Sequence, residues 1–416
     1  MRITLVATTA QLAAAWLTMF AVGTELFVIS PLLPELAAAF GLSTAIAGSS
    51  VAVFSITYAV TAPLLGQISD RFGRRRVLVA SLLAFAAANL GTATATDWPS
   101  LLGSRAFAGA AAAGISPSVY ALVAGVAPAN RRATWLGLTA SGLLMSLALG
   151  APAGVLTGAA LGWPSVFTAL AFASGLLAWL NLRVWVDERG SAEPSRLHTP
   201  PRLAALFLMR RLAPTVVWST SHYGVYSYLG AGLTALGFSG GQIARAILFY
   251  GCGAIVGALV GGRMADRLGP KFTTGASFAG LCACFVLLRL ALDTGVLLEP
   301  FLGVCSAVAQ LFFPAQQAGL ASEFPDRRGT ALAWNNSALF VGISLGSLVG
   351  GAAASRGNFD ATLTICAGIA VLGCLVNAGA SPRPIARDGN RAEGPRRLFS
   401  RIFFRHRGDR RAMGLF

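Results

Sequence analysis

The sequence predicts an all-α membrane protein: twelve transmembrane helices in two six-helix bundles that repeat one another in parallel. Three observations lead there. The 416 residues are 55% hydrophobic and only 12% charged, with a mean hydropathy of +0.67, whereas soluble domains carry about 25% charged residues. Sixteen acidic and 32 basic side chains cannot cover the surfaces of two or three soluble domains, so most of the surface faces lipid. The second observation is a series of apolar stretches, each near the ~20 residues that cross a bilayer. The third is an internal repeat at one fixed spacing.

Cutting the chain at charges, prolines and glycine clusters places the spans in order. The first, near 10–33, follows Met1-Arg2 and an apolar run that continues past Phe27 without a cleavage region, so it reads as a retained span rather than a removed leader. The next five fall near 47–68, 77–96, 100–124, 134–159 and 164–186. A polar stretch from Asp187 to Arg202, with Glu188, Glu193, Pro194, Pro200 and Pro201, has the composition of a solvated linker. Six further spans fall near 211–235, 243–265, 272–292, 296–320, 329–354 and 358–380. The resulting organisation is an N-terminal six-helix bundle over 1–186, a cytoplasmic linker over 187–210, a C-terminal bundle over 211–380 and a basic cytoplasmic tail over 381–416.

Basic residues near span ends resist translocation, so their distribution sets orientation. One set of loops holds Arg71, Arg74, Arg75 and Arg76; Arg131 and Arg132; Arg183 to Arg211; Arg263, Arg267 and Lys271; and Arg327 and Arg328. The alternate loops hold almost none, which puts both termini in the cytoplasm. The net charge of +16 is therefore spent between spans, unlike the single solvated basic face of a nucleic-acid binder. The six cysteines lie in apolar stretches with no zinc pattern and read as small core thiols. In the tail, Leu398, Phe399, Ile402, Phe403 and Phe404 alternate with arginines, which fits either a helix lying on an anionic membrane surface or a disordered basic segment.

The repeat is carried by Gly66-Gln-Ile-Ser-Asp70-Arg71-Phe-Gly73-Arg74-Arg75, which returns 196 residues later as Gly262-Arg-Met-Ala-Asp266-Arg267-Leu-Gly269-Pro-Lys271. The same spacing relates Gly41 and Ser43 to Gly237 and Ser239, Arg131-Arg132 to Arg327-Arg328, and Gly150 and Gly154 to Gly346 and Gly350. An even number of spans separates the copies, so the halves share one orientation. Parallel six-span halves joined by a polar linker describe a transporter that rocks around a midplane site. Span five carries Gly142, Ser146, Gly150, Gly154 and Gly158 along one face, span eleven Ala338, Gly342, Gly346, Gly350 and Ala354, and span eight Gly253, Gly257 and Gly261. Such faces mark close helix contacts, and the three together are expected to form a smooth, sliding interface between the halves.

From about Phe20 to about Ala380 the sequence resembles the major facilitator superfamily, in particular its twelve-span drug:proton antiporter branch. Gly66 to Arg76 resembles the family's GxxxDRxGRR signature. Arg105-Ala-Phe-Ala-Gly109 resembles its RxxxG motif, with Ala108 where glutamine is frequent. Gly150-Ala-Pro152-Ala-Gly154 looks like the exporters' glycine-proline motif. Gly23-Thr24-Glu25-Leu26-Phe27, followed by Leu32-Leu33-Pro34, looks like the first span of chloramphenicol and sugar or drug efflux proteins. The resemblance implies that Arg105 serves proton transfer or the cavity's polar network. It also implies that Gly66, Asp70, Arg71, Gly73 and Arg74, with Gly262, Asp266, Arg267 and Gly269, form a cytoplasmic gate.

Read on its own, Glu25 is the one carboxylate deep within a predicted span, roughly 21 Å along a helix that starts near Gln11. An ionisable group at that depth marks function. Competition between a proton and a substrate for it would couple their opposite movements, and the bland alternative is a packed, hydrogen-bonded residue. Arg105, the one base well inside a span, needs a carboxylate, carbonyls or a water cavity. Asp70 and Arg71 are expected to sit with Gly66 and Gly73 at a tight turn where glycine permits positive φ. The residues expected to line the substrate cavity are Phe27, Phe54, Tyr58, His222, Tyr223, Tyr226, Gln310, Asn335 and Asn336. His222 stands opposite Leu26 in the repeat and reads equally as a neutral packed histidine.

No P-loop, HExxH or GxSxG motif is present, so no nucleotide, metal or other cofactor is expected and an enzyme is a weak reading. A membrane sensor is weaker still, for want of a cytosolic domain. The expected function is proton-coupled export of small, largely apolar compounds by a monomer in the inner membrane. Its partners are a small-molecule substrate, protons and the bilayer, with no nucleic acid, and a chloramphenicol-like antibiotic leads the substrate classes. The rival reading is a proton-coupled transporter of a sugar or nucleoside-like metabolite.

Overall fold

Lipid offers the backbone no hydrogen bonds, so a chain this apolar must satisfy its amides within helices or a closed barrel. The computed structural model describes residues 2–128, 131–186, 202–292, 298–324 and 328–379, and among them no strand occurs. The linker from 187 to 201 and the tail from 380 lie outside the described residues.

In the first half, α1 (Arg2–Val28) is followed by the short α2 (Leu33–Ala39) and α3 (Thr44–Ala47), then α4 (Ser49–Phe72), α5 (Arg74–Ala93) and α6 (Trp98–Val126). Span five is α7 (Arg132–Met145), a π turn over Ser146–Gly150 and α8 (Ala151–Leu161), and span six is α9 (Trp163–Val184). In the second half come α10 (Arg202–Ala235), α11 (Gly240–Leu268), α12 (Pro270–Leu292), then α13 (Leu298–Gln310) and α14 (Phe312–Glu323) as the two pieces of span ten. The last helical stretch, α15 (Arg328–Gly379), holds spans eleven and twelve. Within it the Thr362 hydroxyl donates to the Gly350 carbonyl at 3.2 Å. Twelve residues of straight helix would separate them by about 18 Å, so the chain turns back between the two.

Eleven helices among the described residues are long and apolar enough to cross a membrane. The twelfth span is α10, which begins nine residues before the expected 211 and carries too many polar groups to register by hydropathy. Those groups are buried: Thr215, Ser219, Ser221, His222, Ser227 and Tyr228 are at most 1% exposed. Large apolar side chains stand outward instead, among them Leu161, Phe172, Leu176 and Leu375, as the lipid-facing surface requires. Of the cysteines, Cys284, Cys305 and Cys366 are buried as expected of core thiols, but Cys252 is exposed.

The repeat is visible in the backbone. Gly73 and Gly269 adopt φ of 97° and 90°, and Gly41 and Gly237 adopt 63° and 82°, all in the region that favours glycine. Ser43 and Ser239 each accept a hydrogen bond from the amide three residues on, capping the helix that follows. Gly66 and Gly262 correct the expectation: both lie within helices, α4 and α11, and neither has a positive φ. Asp70 and Arg71 likewise belong to the last turn of α4, and the turn rests on Gly73 alone.

The small faces also pack differently from expectation, for each closes on its own half. A Cβ at Gly150 or Gly154 would meet Thr24 or Val28 of α1, and one at Gly346 or Gly350 would meet Thr220 or Gly224 of α10. Gly253, Gly257 and Gly261 lie on the backbone of Gly303, Ala307 and Leu311. The halves meet through other glycines, Gly251 against Leu147 and Ala148, and Gly230 against Pro31.

Candidate functional site

The site begins with two facing choices of residue on α1. Gly23, whose Cβ would strike Ser146, and Thr24, on which Gly150 rests, press α1 against span five. Glu25, the next residue around, then projects toward α6. One turn after Arg105, Gly109 lets α6 approach the Phe54 carbonyl of α4 so closely that a Cβ could not fit. The RxxxG spacing thereby brings the Phe54 ring over the Arg105 guanidinium, 4.8 Å from its centroid, with Phe167 of α9 at 5.9 Å.

Glu25 and Arg105 pair: Arg105 Nη1 donates to Glu25 Oε1, with the two side chains 0% and 1% exposed. Sequence reasoning found both groups and asked for a partner for each, but gave no means of matching them. Glu25 Oε2, Arg105 Nε and Arg105 Nη2 have no hydrogen-bond partner among the described residues. A buried ion pair with open valences is costly to keep for packing alone, since removing either partner strands a charge, and it retains donors and an acceptor for water, proton or ligand.

The other expected cavity residues fall into two groups. At the seam between halves, the Tyr58 ring stacks on Phe340 at 3.6 Å between centroids, and Asn336 Nδ2 donates to the Tyr58 hydroxyl at 3.3 Å. The Tyr226 hydroxyl donates to the Phe27 carbonyl at 3.0 Å while the two rings meet edge to face. On the second-half side, His222, Tyr223 and Tyr226 join Tyr250 and Trp218 in one aromatic group, with Gln310 beside Tyr223. Tyr250 escaped sequence reasoning because it sits in an apolar run, although it stands 196 residues after Phe54, and nothing in the sequence sets Trp218 apart from the other aromatics of the spans. Asn335 accepts from Thr215 of α10 at 2.6 Å, a contact within its own half.

Further seam contacts gather at the end carrying the α1–α2 and α10–α11 turns. The Tyr228 hydroxyl, bonded within its own half to the Ser347 carbonyl at 2.9 Å, reaches across to the Ala45 carbonyl at 3.5 Å, and the Ser347 hydroxyl donates to the Gly48 carbonyl at 2.7 Å. At the opposite end, which carries the Gly66–Arg76 motif, Arg74 Nη1 donates to the Ala121 carbonyl at 3.3 Å and Arg75 Nη2 to the Leu182 carbonyl at 2.5 Å, both bonds within the first half. Asp266 and Arg267 of the second copy are exposed. The Gly150–Gly154 motif forms the end of the π turn: the Ala151 amide donates to the Ser146 carbonyl, five residues back, and Pro152 has no amide to donate.

The Major Facilitator Superfamily family model matches residues 15–235 and again 219–413. The chain belongs to the Major Facilitator Superfamily. Among relatives of this superfamily, the chain is 28% identical over 343 residues to the MFS-type transporter YceJ of Bacillus subtilis, covering 80% of this chain and 86% of that one. It is 29% identical over 258 residues to a chloramphenicol resistance protein of Streptomyces lividans, covering 59% of this chain and 64% of that one. Among solved structures, a D-xylose-proton symporter superposes with a TM-score of 0.72 at 18% identity, covering 90% of this chain and 98% of that one. A bacterial homologue of the lysosomal transporter Spinster, inward-facing and occupied, superposes at 0.70 with 16% identity, covering 89% and 96%. These two show the fold. The chain is thus a multi-pass membrane transporter of the superfamily, and the Glu25–Arg105 pair lies in the core of its first half.

Proposed function

We propose that the protein exports small, largely apolar compounds in exchange for protons, by alternating access, as a monomer in the inner membrane with both termini in the cytoplasm. The observation that carries this reading is the buried Glu25–Arg105 pair with one carboxylate oxygen unpartnered. A proton arriving at Glu25 neutralises the carboxylate and dissolves the ion pair, which leaves Arg105 held by the Phe54 and Phe167 rings over which it already lies. A substrate or water that stabilises the ionised carboxylate does the reverse. Proton and substrate then occupy the site in turn, which is the requirement for exchange.

The two halves move about this layer. In the present arrangement the halves are latched where Tyr228 reaches Ala45, Ser347 bonds to Gly48 and Gly230 meets Pro31, which by the distribution of arginines is the outer end. The protein therefore faces inward, and the Gly66–Arg76 motif with its copy is the gate that meets when it turns outward. The aromatic lining supports an apolar substrate over a sugar, whose hydroxyls would need far more polar partners, and likeness to a chloramphenicol resistance protein supports an antibiotic of that type.

The test is growth of an efflux-deficient bacterium on an antibiotic panel, with wild type or Glu25→Gln at equal membrane expression. Wild type is expected to raise the tolerated concentration of at least one apolar compound, and the variant to lose it. No shift with wild type would reject drug export and turn attention to labelled metabolite flux.

A further inference from the structure

Beside Tyr226, on the second-half side of the seam, lies a polar centre that proton coupling leaves unused. His222 is 1% exposed. Its ring stacks on Trp218, 5.3 Å between centroids, and lies parallel to Tyr250 at 5.9 Å. The Tyr250 hydroxyl is 3.2 Å from Nδ1 and 3.4 Å from Nε2. A neutral imidazole presents one donor and one acceptor on opposite sides of the ring, so a single hydroxyl cannot satisfy both. Ser306, adjoining the same hydroxyl, is fully buried, and its Oγ makes no hydrogen bond of normal geometry among the described residues. Two buried polar groups thus converge on Tyr250, and its one hydroxyl leaves a His222 nitrogen and the Ser306 hydroxyl with hydrogen-bonding capacity to spare.

Packing does not require them. The counterparts 196 residues earlier are Leu26 for His222, Phe54 for Tyr250 and Ala110 for Ser306. The first half fills all three places without a side-chain polar atom, so the second half has acquired the three together. The rings beside His222 are those of Trp218 and Tyr223, neither of them charged, which suits a neutral ligand. The face of the group toward the first half is Tyr226, which is held to Phe27 across the seam and parts from it when the halves separate there.

We propose that His222, Tyr250 and Ser306 form a substrate subsite for a neutral planar aromatic ring bearing an oxygen acceptor, such as a nitro or carbonyl group. The ring lies against Tyr223, and the oxygen accepts from the imidazole N–H or the Ser306 hydroxyl. This rests on the exporter reading and specifies the chemistry of its cargo.

The test uses the full-length protein in detergent, with calorimetric titration of chloramphenicol and of its analogue carrying hydrogen in place of the nitro group. Wild type is expected to prefer the nitro compound about tenfold, the worth of one or two buried hydrogen bonds. His222→Phe and Ser306→Ala should each bring that ratio toward one. Ser306→Ala installs the residue that the first half carries and is the variant least disturbing to the fold. A wild-type ratio near one, no binding of either compound, or a tenfold ratio that survives both variants overturns the subsite. Antibiotic resistance with a ratio near one would keep the exporter and remove the subsite, whereas the tenfold ratio without any export would keep the subsite and remove the exporter.

Discussion

Glu25 and Arg105 show what a charge inside a membrane demands of its neighbours. Each was legible as a candidate functional residue from its depth in an apolar span, because no packing rule places a lone charge there. Their pairing was not legible, since it depends on how α1 and α6 turn about their axes, and that is set by Gly23, Gly109 and Gly150 contacts scattered along the chain. The pair makes a stability prediction. Glu25→Leu alone strands a buried guanidinium and should lower stability by about 3 kcal/mol, as should Arg105→Met alone. The double replacement should recover most of that loss, while transport stays abolished in all three. Thermal unfolding in detergent, read beside a flux assay, measures both. Additive losses would mean that the two groups do not act as a pair.

At the scale of elements, the repeat proved more literal than its glycine spacing indicated. Gly150 rests on Thr24 as Gly346 rests on Thr220, each member 196 residues from its counterpart. One contact is inverted: Gly23 of α1 faces Ser146 of span five, whereas Ser219 of α10 faces Gly342 of span eleven. Each half allots one small and one serine side chain to the crossing and assigns them to opposite helices. Gly23→Ser should therefore be poorly tolerated, and adding Ser146→Gly should restore folding by importing the second half's arrangement. Yield and thermal stability of the two variants check this. The glycine faces were readable as contacts, but their partners were misassigned to the other half, because a small face records close approach and not which helix approaches. Gly66 was misread for a related reason: in this motif only Gly73 has a backbone conformation that glycine favours, and the earlier glycine is an ordinary helical residue in open surroundings. The polar α10 shows the converse, a span that hydropathy alone misses because it is enclosed by its neighbours.

For the whole molecule, two apolar bundles could be counted from composition and periodicity, but the state in which they are joined could not. That state depends on which of several weak seams is closed. The seam between α4 and α15 carries hydrogen bonds and the Tyr58–Phe340 stack, whereas that between α11 and span five rests on Gly251 against backbone. The first has contacts to break and the second a surface to pivot on. A Cβ at Gly240 would lie 3.4 Å from the Ala159 Cβ, close to the separation that a disulfide spans. In a background free of native cysteines, Ala159→Cys with Gly240→Cys should cross-link under mild oxidation, arrest transport and release it on reduction. Transport unaffected by a completed cross-link would mean that this end does not open.

The most direct measurement is proton-driven exchange in proteoliposomes. With a compound to which the protein confers resistance loaded on one side, wild type should move it against its gradient when a pH difference is imposed. Glu25→Gln should lose that response yet still exchange labelled for unlabelled compound at equal pH, because binding and rocking survive while coupling does not. If Glu25→Gln retains full pH-driven accumulation, the proton travels elsewhere and the buried pair is not the coupling site.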